Sequence, residues 1–109
     1  MAVTLSRLVQ FSPTATDATY YTVPAATKAI LKQIIIANSH TADVAIYLSI
    51  VPTGGAVGVT NRIIPGTILG AGQSWFLDLT QVMVTGDFIS ARAGTAAVVA
   101  VTISGLLET

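Results

Sequence analysis

The chain has no cysteine. Disulfides, thiolate metal sites and a cysteine nucleophile are therefore excluded. It has a single histidine, His40, which leaves only one imidazole base for any serine nucleophile. No Gly-x-Ser-x-Gly turn is present to carry such a serine. Charge is scarcer still, with five basic and five acidic side chains in 109 residues and a formal sum of zero. The basic residues Arg7, Lys28, Lys32, Arg62 and Arg92 are scattered, whereas a phosphate-binding surface needs a cluster. A nucleic-acid partner is not expected. Long apolar runs are also missing. Of the two uncharged stretches, 44–61 is broken by Pro52, Gly54 and Gly55, and 93–107 is short and alternates in polarity. A spanning helix wants about 20 mostly apolar residues, so a membrane partner is not expected either. Residues 1–7 lack a basic region followed by an apolar block, and no signal peptide is expected.

What the chain does have is apolar residues, 52% of the total, in short runs interleaved with Thr, Ser and Gly. At 11.2 kDa it is read as one domain over 1–109. A compact monomer of that mass keeps about 5,700 Å² exposed. Surfaces are ordinarily about 25–35% charged. Here charged residues are 9% of the whole chain. Either the protein is a monomer coated in Thr, Ser and Gly, or it buries neutral surface against other chains. Zero net charge favours the second reading, because nothing else would keep separate copies apart in solution.

Val, Ile and Thr are abundant, and β-branched side chains fit a pleated surface better than a helix. Turn formers recur along the chain at the spacing of a sandwich or barrel. Residues 2–11 alternate, with Val3, Leu5, Val9 and Phe11 on one face and Arg7 interrupting it. Further strands are expected at 19–23, 28–38, 44–51, 62–69, 74–79, 88–93 and 96–107. Strand 28–38 is apolar on both faces at its centre, Ile30, Ile34 and Ile36 against Leu31 and Ile35, and should be covered on both sides. Length alone would also allow a helix at 25–37, but the consecutive Ile34, Ile35 and Ile36 argue for a strand. The expected core is Ile34, Ile36, Ile46, Leu48, Trp75, Leu77, Ile89, Val99, Val101 and Ile103.

No residue cluster announces catalysis. Gly54-Gly55-Ala56-Val57-Gly58 lacks the Lys-Ser/Thr and the helix that a phosphate loop requires. His40 has Asp43 nearby, but zinc takes three or four protein ligands. A solvated turn histidine is the simpler reading, and no metal or cofactor is expected. The acidic residues Asp17, Asp43, Asp78, Asp87 and Glu108 fall mostly at turns, where Asp caps the backbone. Three copies meeting at an axis would bring His40 side chains together as a pH-sensitive contact. Tyr20 and Tyr21 are the candidate surface aromatics for stacking on a glycan. Arg7 either snorkels out of the core or forms an interchain salt bridge, with Glu108 or Asp17 as partner.

One stretch of motifs resembles a known family. It runs from Tyr21-Thr22-Val23-Pro24-Ala25-Ala26-Thr27-Lys28-Ala29 through Asn38-Ser39, the strand at 44–51 and Pro52-Thr53-Gly54-Gly55. It continues with Gly70-Ala71-Gly72-Gln73-Ser74, Leu79, Gly86-Asp87-Phe88-Ile89-Ser90-Ala91 and the strand at 98–105. Together these are similar to a small β-sandwich family of tailed-bacteriophage virion proteins, head-decoration and tail-associated. The resemblance covers most of the chain and brings no catalytic residues with it. It implies a non-enzymatic structural virion protein, made in the bacterial host cytoplasm and carried on the outer surface of the particle. A capsid decoration (cement) protein is the first expectation. Its partners would be further copies of itself, as a homotrimer, and the major capsid protein or other virion proteins. A tail, neck, baseplate or fibre subunit is the alternative, and a host-polysaccharide-binding module another. The expected fold is all-β, an antiparallel β-sandwich of jelly-roll type with eight to nine strands. Residues 1–18 are expected to supply an N-terminal strand or arm used in assembly.

Overall fold

The computed structural model describes residues 3–109. Met1 and Ala2, the latter the first residue of the strand expected at 2–11, lie outside them. Eight strands are present among the described residues. They are β1 (Val3–Phe11), β2 (Ala18–Thr22), β3 (Lys28–Asn38), β4 (Val44–Val51), β5 (Arg62–Leu69), β6 (Ser74–Met83), β7 (Phe88–Ala93) and β8 (Val99–Glu108). They form two four-stranded antiparallel sheets, ordered β1-β8-β3-β6 and β2-β7-β4-β5. First pairs with last, second with seventh, third with sixth and fourth with fifth. The chain is thus one long hairpin rolled so that successive pairs fall in alternate sheets, which is the jelly-roll arrangement. The segment 25–37 that length would have allowed as a helix is the strand β3, paired on both sides by β6 and β8.

The core lies between the sheets. Ile34, Ile36, Ile46, Leu48, Ile89, Val99, Val101 and Ile103 are all buried there, joined by Leu31, Leu69 and Met83. Fully burying each such side chain stabilises the fold by about 1.5–3 kcal/mol. Trp75 and Leu77 point the same way but are only half-buried, because β6 is the last strand of its sheet and the sandwich is open beside it. The other side is closed by the rings of Phe11 and Tyr20, stacked with centroids 4.0 Å apart.

One sheet carries three irregularities on either side of the Ser104 rung. Leu8 is the extra residue of β1 between Arg7 and Val9, and Lys32 the extra residue of β3 between Leu31 and Gln33. Strand β6 skips from Gln81 to Asp78 at the same height. A bulge reverses which side of the sheet later residues face. In β1, Val9 and Phe11 therefore pack on the core, while Val3 and Leu5 point outward, 59% and 81% exposed. In β3 the inward residues are Ala29 and Leu31 before the bulge and Ile34 and Ile36 after it. Ile30, expected on the same face as Ile34, stands on the other. Gly105 of β8 allows the crowding at this level, since a Cβ there would run into the carbonyl of Ile30.

Candidate functional site

The outward face of the β1-β8-β3-β6 sheet carries the exposed side chains of Val3, Leu5, Phe76 and Val82, and the register builds it rung by rung. Alternation along each strand places every second residue outward. One outward rung reads Leu5, Leu106, Ile30 and Val82 across the four strands. Leu5 and Val82 are 81% and 62% exposed at its two ends. Toward one end of the sheet the neighbouring rung is Val3, Glu108 and Lys28. Toward the other it is Arg7, Ser104, Gln33 and Asp78, at the level of the bulges. Beyond that lie Gln10, Thr102, Ile35 and Phe76, with Phe76 69% exposed at the edge. An apolar rung four strands wide is therefore bracketed by rungs that each carry one positive and one negative side chain. A shallow groove crosses the face beside Leu5, Arg7, Lys32 and Ser104.

The charges on this face are loosely held within the chain. Arg7 is exposed, with Nη1 donating to Gln10 Oε1 at 3.5 Å. Gln33 Nε2 donates to Asp78 Oδ1 at 3.5 Å, and Lys32 Nζ to Thr80 Oγ1 at 3.4 Å. Among the described residues the ion pair within reach is Arg92 with Asp17, at 3.6 Å, on the other sheet. Asp17, one expected partner of Arg7, is thus engaged elsewhere. Glu108, the other, lies opposite Val3 in the ladder, and Arg7 lies opposite Ser104. The two do not meet inside one chain.

The other candidate residues are placed less accessibly. Tyr20 is stacked on Phe11, and its hydroxyl accepts from Thr14 N at 3.1 Å. Tyr21 packs on the core with its hydroxyl buried, and that burial pushes its pKa up. Neither ring offers an open stacking platform. His40 lies half-buried in the β3–β4 loop, its backbone N–H donating to Asn38 Oδ1 at 2.9 Å. Asn38 is buried and donates through Nδ2 to Leu69 O at 3.0 Å and Ala42 O at 3.1 Å, so it fixes this loop against the β5–β6 turn. Asp43 turns instead to Ala71 N, at 3.1 Å. Among the described residues no three His, Asp or Glu side chains come together to hold a metal.

The glycine-rich connection 52–61 uses its own amides. Gly55 N donates to Pro52 O at 2.9 Å, and Gly58 N to Asn61 Oδ1 at 3.1 Å. Asn61 Nδ2 returns a bond to Ala56 O at 2.9 Å. These amides point into the loop and do not converge on a ligand. On the outer face of the second sheet, the Tyr47 ring lies between Arg92 at 3.9 Å and Arg62 at 5.3 Å, and rests on Gly66. Gly66 has φ +92, and a Cβ there would be 2.8 Å from the ring. This stack occupies two of the five basic side chains.

Sequence reasoning missed the outward rung. Its residues belong to four strands whose neighbours are set by the roll, and the bulges reverse the alternation in β1 and β3. The available signal was Arg7, which shares a face with Leu5 and Val3.

No protein-family model matches the chain, and no curated protein matches it. Two solved chains are similar to it in backbone. One belongs to the T13 viral particle of infectious bursal disease virus, with 9% identity and a TM-score of 0.53. That similarity covers 97% of this chain and 30% of the other. The second is from the Gx strain of the same virus, with 11% identity, a TM-score of 0.47, and coverage of 97% and 36%. The chain spans about a third of the length of each. At such identity the likeness concerns the fold alone, an eight-stranded antiparallel β-sandwich.

Proposed function

We propose that this chain is a non-enzymatic structural component of a virion, a decoration (cement) protein on the outside of a tailed-phage head. The observation that carries the reading is the outward sheet face, a four-strand apolar rung on a small jelly-roll with ten charged residues. An exposed apolar face of this kind marks an interaction site. Two further facts support the reading at the level of analogy. The sequence motifs resemble tailed-phage virion proteins, and a chain of another virus particle has a similar fold.

The mechanism is mass action. A protein that binds the assembled shell and not its free subunits stabilises the shell, and does so more the further its free concentration exceeds its dissociation constant. The partners are the major capsid protein and further copies of this chain. Particles assembled with and without the protein provide the test. Those carrying it should withstand higher temperature before releasing their contents, and imaging should place the extra density on the head exterior. Density on the tail, or particles equally robust without the protein, would overturn the cement role.

A further inference from the structure

We propose that the outward face of the β1-β8-β3-β6 sheet docks on the same face of a second copy, in a two-fold pair whose axis runs along the strands between β8 and β3. The argument is the register. Rotation about such an axis leaves every rung over itself and exchanges the columns, so that β1 lies over β6 and β8 over β3. Leu5 then covers the partner's Val82, and Leu106 covers the partner's Ile30. On one side of this apolar strip Arg7 faces the partner's Asp78, and Ser104 faces the partner's Gln33. On the other side Glu108 faces the partner's Lys28. Each contact occurs twice, so four opposite-charge contacts ring an apolar centre.

The alternative two-fold axis, along the rungs, lacks this match. It would set Arg7 over the partner's Val3 and Ser104 over the partner's Glu108. Aligned sheets cross at about 30°, which displaces the outer positions by a few ångströms. Arginine and lysine side chains are long enough to span that displacement. Lys32 stays out of the pairing, reaching along its own sheet to Thr80.

The area is sufficient for a specific pair. Four strands about 4.8 Å apart and ten residues at about 3.4 Å each give a footprint of roughly 650 Å² per copy. Two copies together bury roughly 1,300 Å², just above the lower bound of about 1,200 Å² for stable interfaces. The apolar rung spans the full width of this footprint and is flanked by the two charged rungs, with Gln10, Thr102, Ile35 and Phe76 lying beyond Arg7 and Asp78. The pair also closes on itself, because a two-fold contact consumes the face on both copies and leaves none for a third.

The proposal names the second copy as the cover of the face invoked above, so that a shell is met by the remaining surface of the pair, and it stands on the register alone. The test is sedimentation of the purified protein, with strand content checked by circular dichroism. Wild type should be a concentration-dependent dimer. Arg7→Asp and Asp78→Arg, each at an exposed position, should raise the dissociation constant about tenfold, since each reverses two rim contacts. The double variant should return it to near the wild-type value. Within one chain these residues stand three strands apart, about 14 Å, so only contact across the pair can produce that rescue. A monomer at millimolar concentration, a trimer, or a double variant as weak as the sum of its parts would overturn the pairing. Failure to bind any particle by a protein that nevertheless dimerises would instead sink the virion reading and leave the pairing intact.

Discussion

Asp87 shows how much of this fold hangs on single polar groups at turns. Its Oδ2 accepts from Val84 N at 2.9 Å, and its Oδ1 accepts from Thr53 N at 3.0 Å with the Thr53 hydroxyl 3.1 Å away. One carboxylate therefore ties the β6–β7 turn to the start of the β4–β5 connection. Burial pushes its pKa up, but the bonds from Val84 and Thr53 outweigh that and hold it below the ordinary carboxylate value. Because the folded value is the lower one, the carboxylate stabilises the fold at every pH above its unfolded value of about 3.9. That contribution is lost as pH falls through the folded value. Asp87→Asn should cost about 1 kcal/mol near neutral pH, with the partly exposed setting keeping it modest. Thermal melts should show the gap to wild type closing as the pH falls below about 4. A gap that stays constant over that fall would mean that charge is not what matters at this turn. Gly105 is constrained differently. The carbonyl of Ile30 occupies the space that a Cβ would need, and neither strand can move without parting the ladder. Gly105→Ala should destabilise the protein by about 1–3 kcal/mol, measurable as a lower denaturant midpoint at unchanged slope.

At the scale of the element, the bulges decide which side chains the sheet presents. Leu8 is extra in β1, so its removal leaves Val3 to Arg7 and Val9 to Phe11 on the same partners of β8. Deletion of Leu8 should lower the melting temperature only by the loss of one half-buried side chain, about 1–2 kcal/mol. Deletion of Gln10, which has a partner in Thr102, is also taken up by the bulge, turning Leu8 inward opposite Ile103 and Val9 outward opposite Thr102. That variant should keep the ladder, seen as continued slow hydrogen exchange of the β8 amides that β1 protects. The bulge also marks where sequence is legible. The strands β3, β4 and β7 fall at the residues that alternation and turn formers indicate, and most of the expected core is buried. What alternation cannot deliver is a reversal of phase. Nothing in Arg7-Leu8-Val9 announces that Leu8 will be skipped, so Leu5 reads as sharing a face with Val9 and Phe11 when it is among the most exposed side chains. Trp75 and Leu77 read as fully buried because their own strand does not reveal that it ends a sheet. Strand order follows from the roll of the whole chain. The assembly face, made of residues from four strands distant in sequence, is therefore invisible until that order is known.

At the scale of the molecule, scarcity of charge and the apolar rung describe one property. The accessible surface is 5620 Å², close to the roughly 5,700 Å² of an ordinary monomer of this mass, so compaction has not hidden the excess. With no net charge, copies do not repel, and an apolar face that did not close on itself would recruit further copies without limit. A self-complementary face avoids that outcome, because each pair has used it up. The exposed members of the rung, Leu5 and Val82, contribute little to the fold of a single chain, being 81% and 62% exposed. Replacing both with Ser should leave the unfolding free energy of the dilute monomer within about 0.5 kcal/mol. The same variant should shift the sedimentation profile to monomer at concentrations where wild type pairs. Salt separates the two contributions to pairing. Raising ionic strength screens the rim contacts of Arg7 with Asp78 and Lys28 with Glu108, but not the apolar strip between them. The dissociation constant of the wild type should therefore rise only a few-fold between about 0.05 and 0.5 M salt, and Leu5→Ser should weaken pairing at both. A pair that dissociates completely in salt would place the binding energy in the rim, and the apolar rung would then need a different partner to cover it.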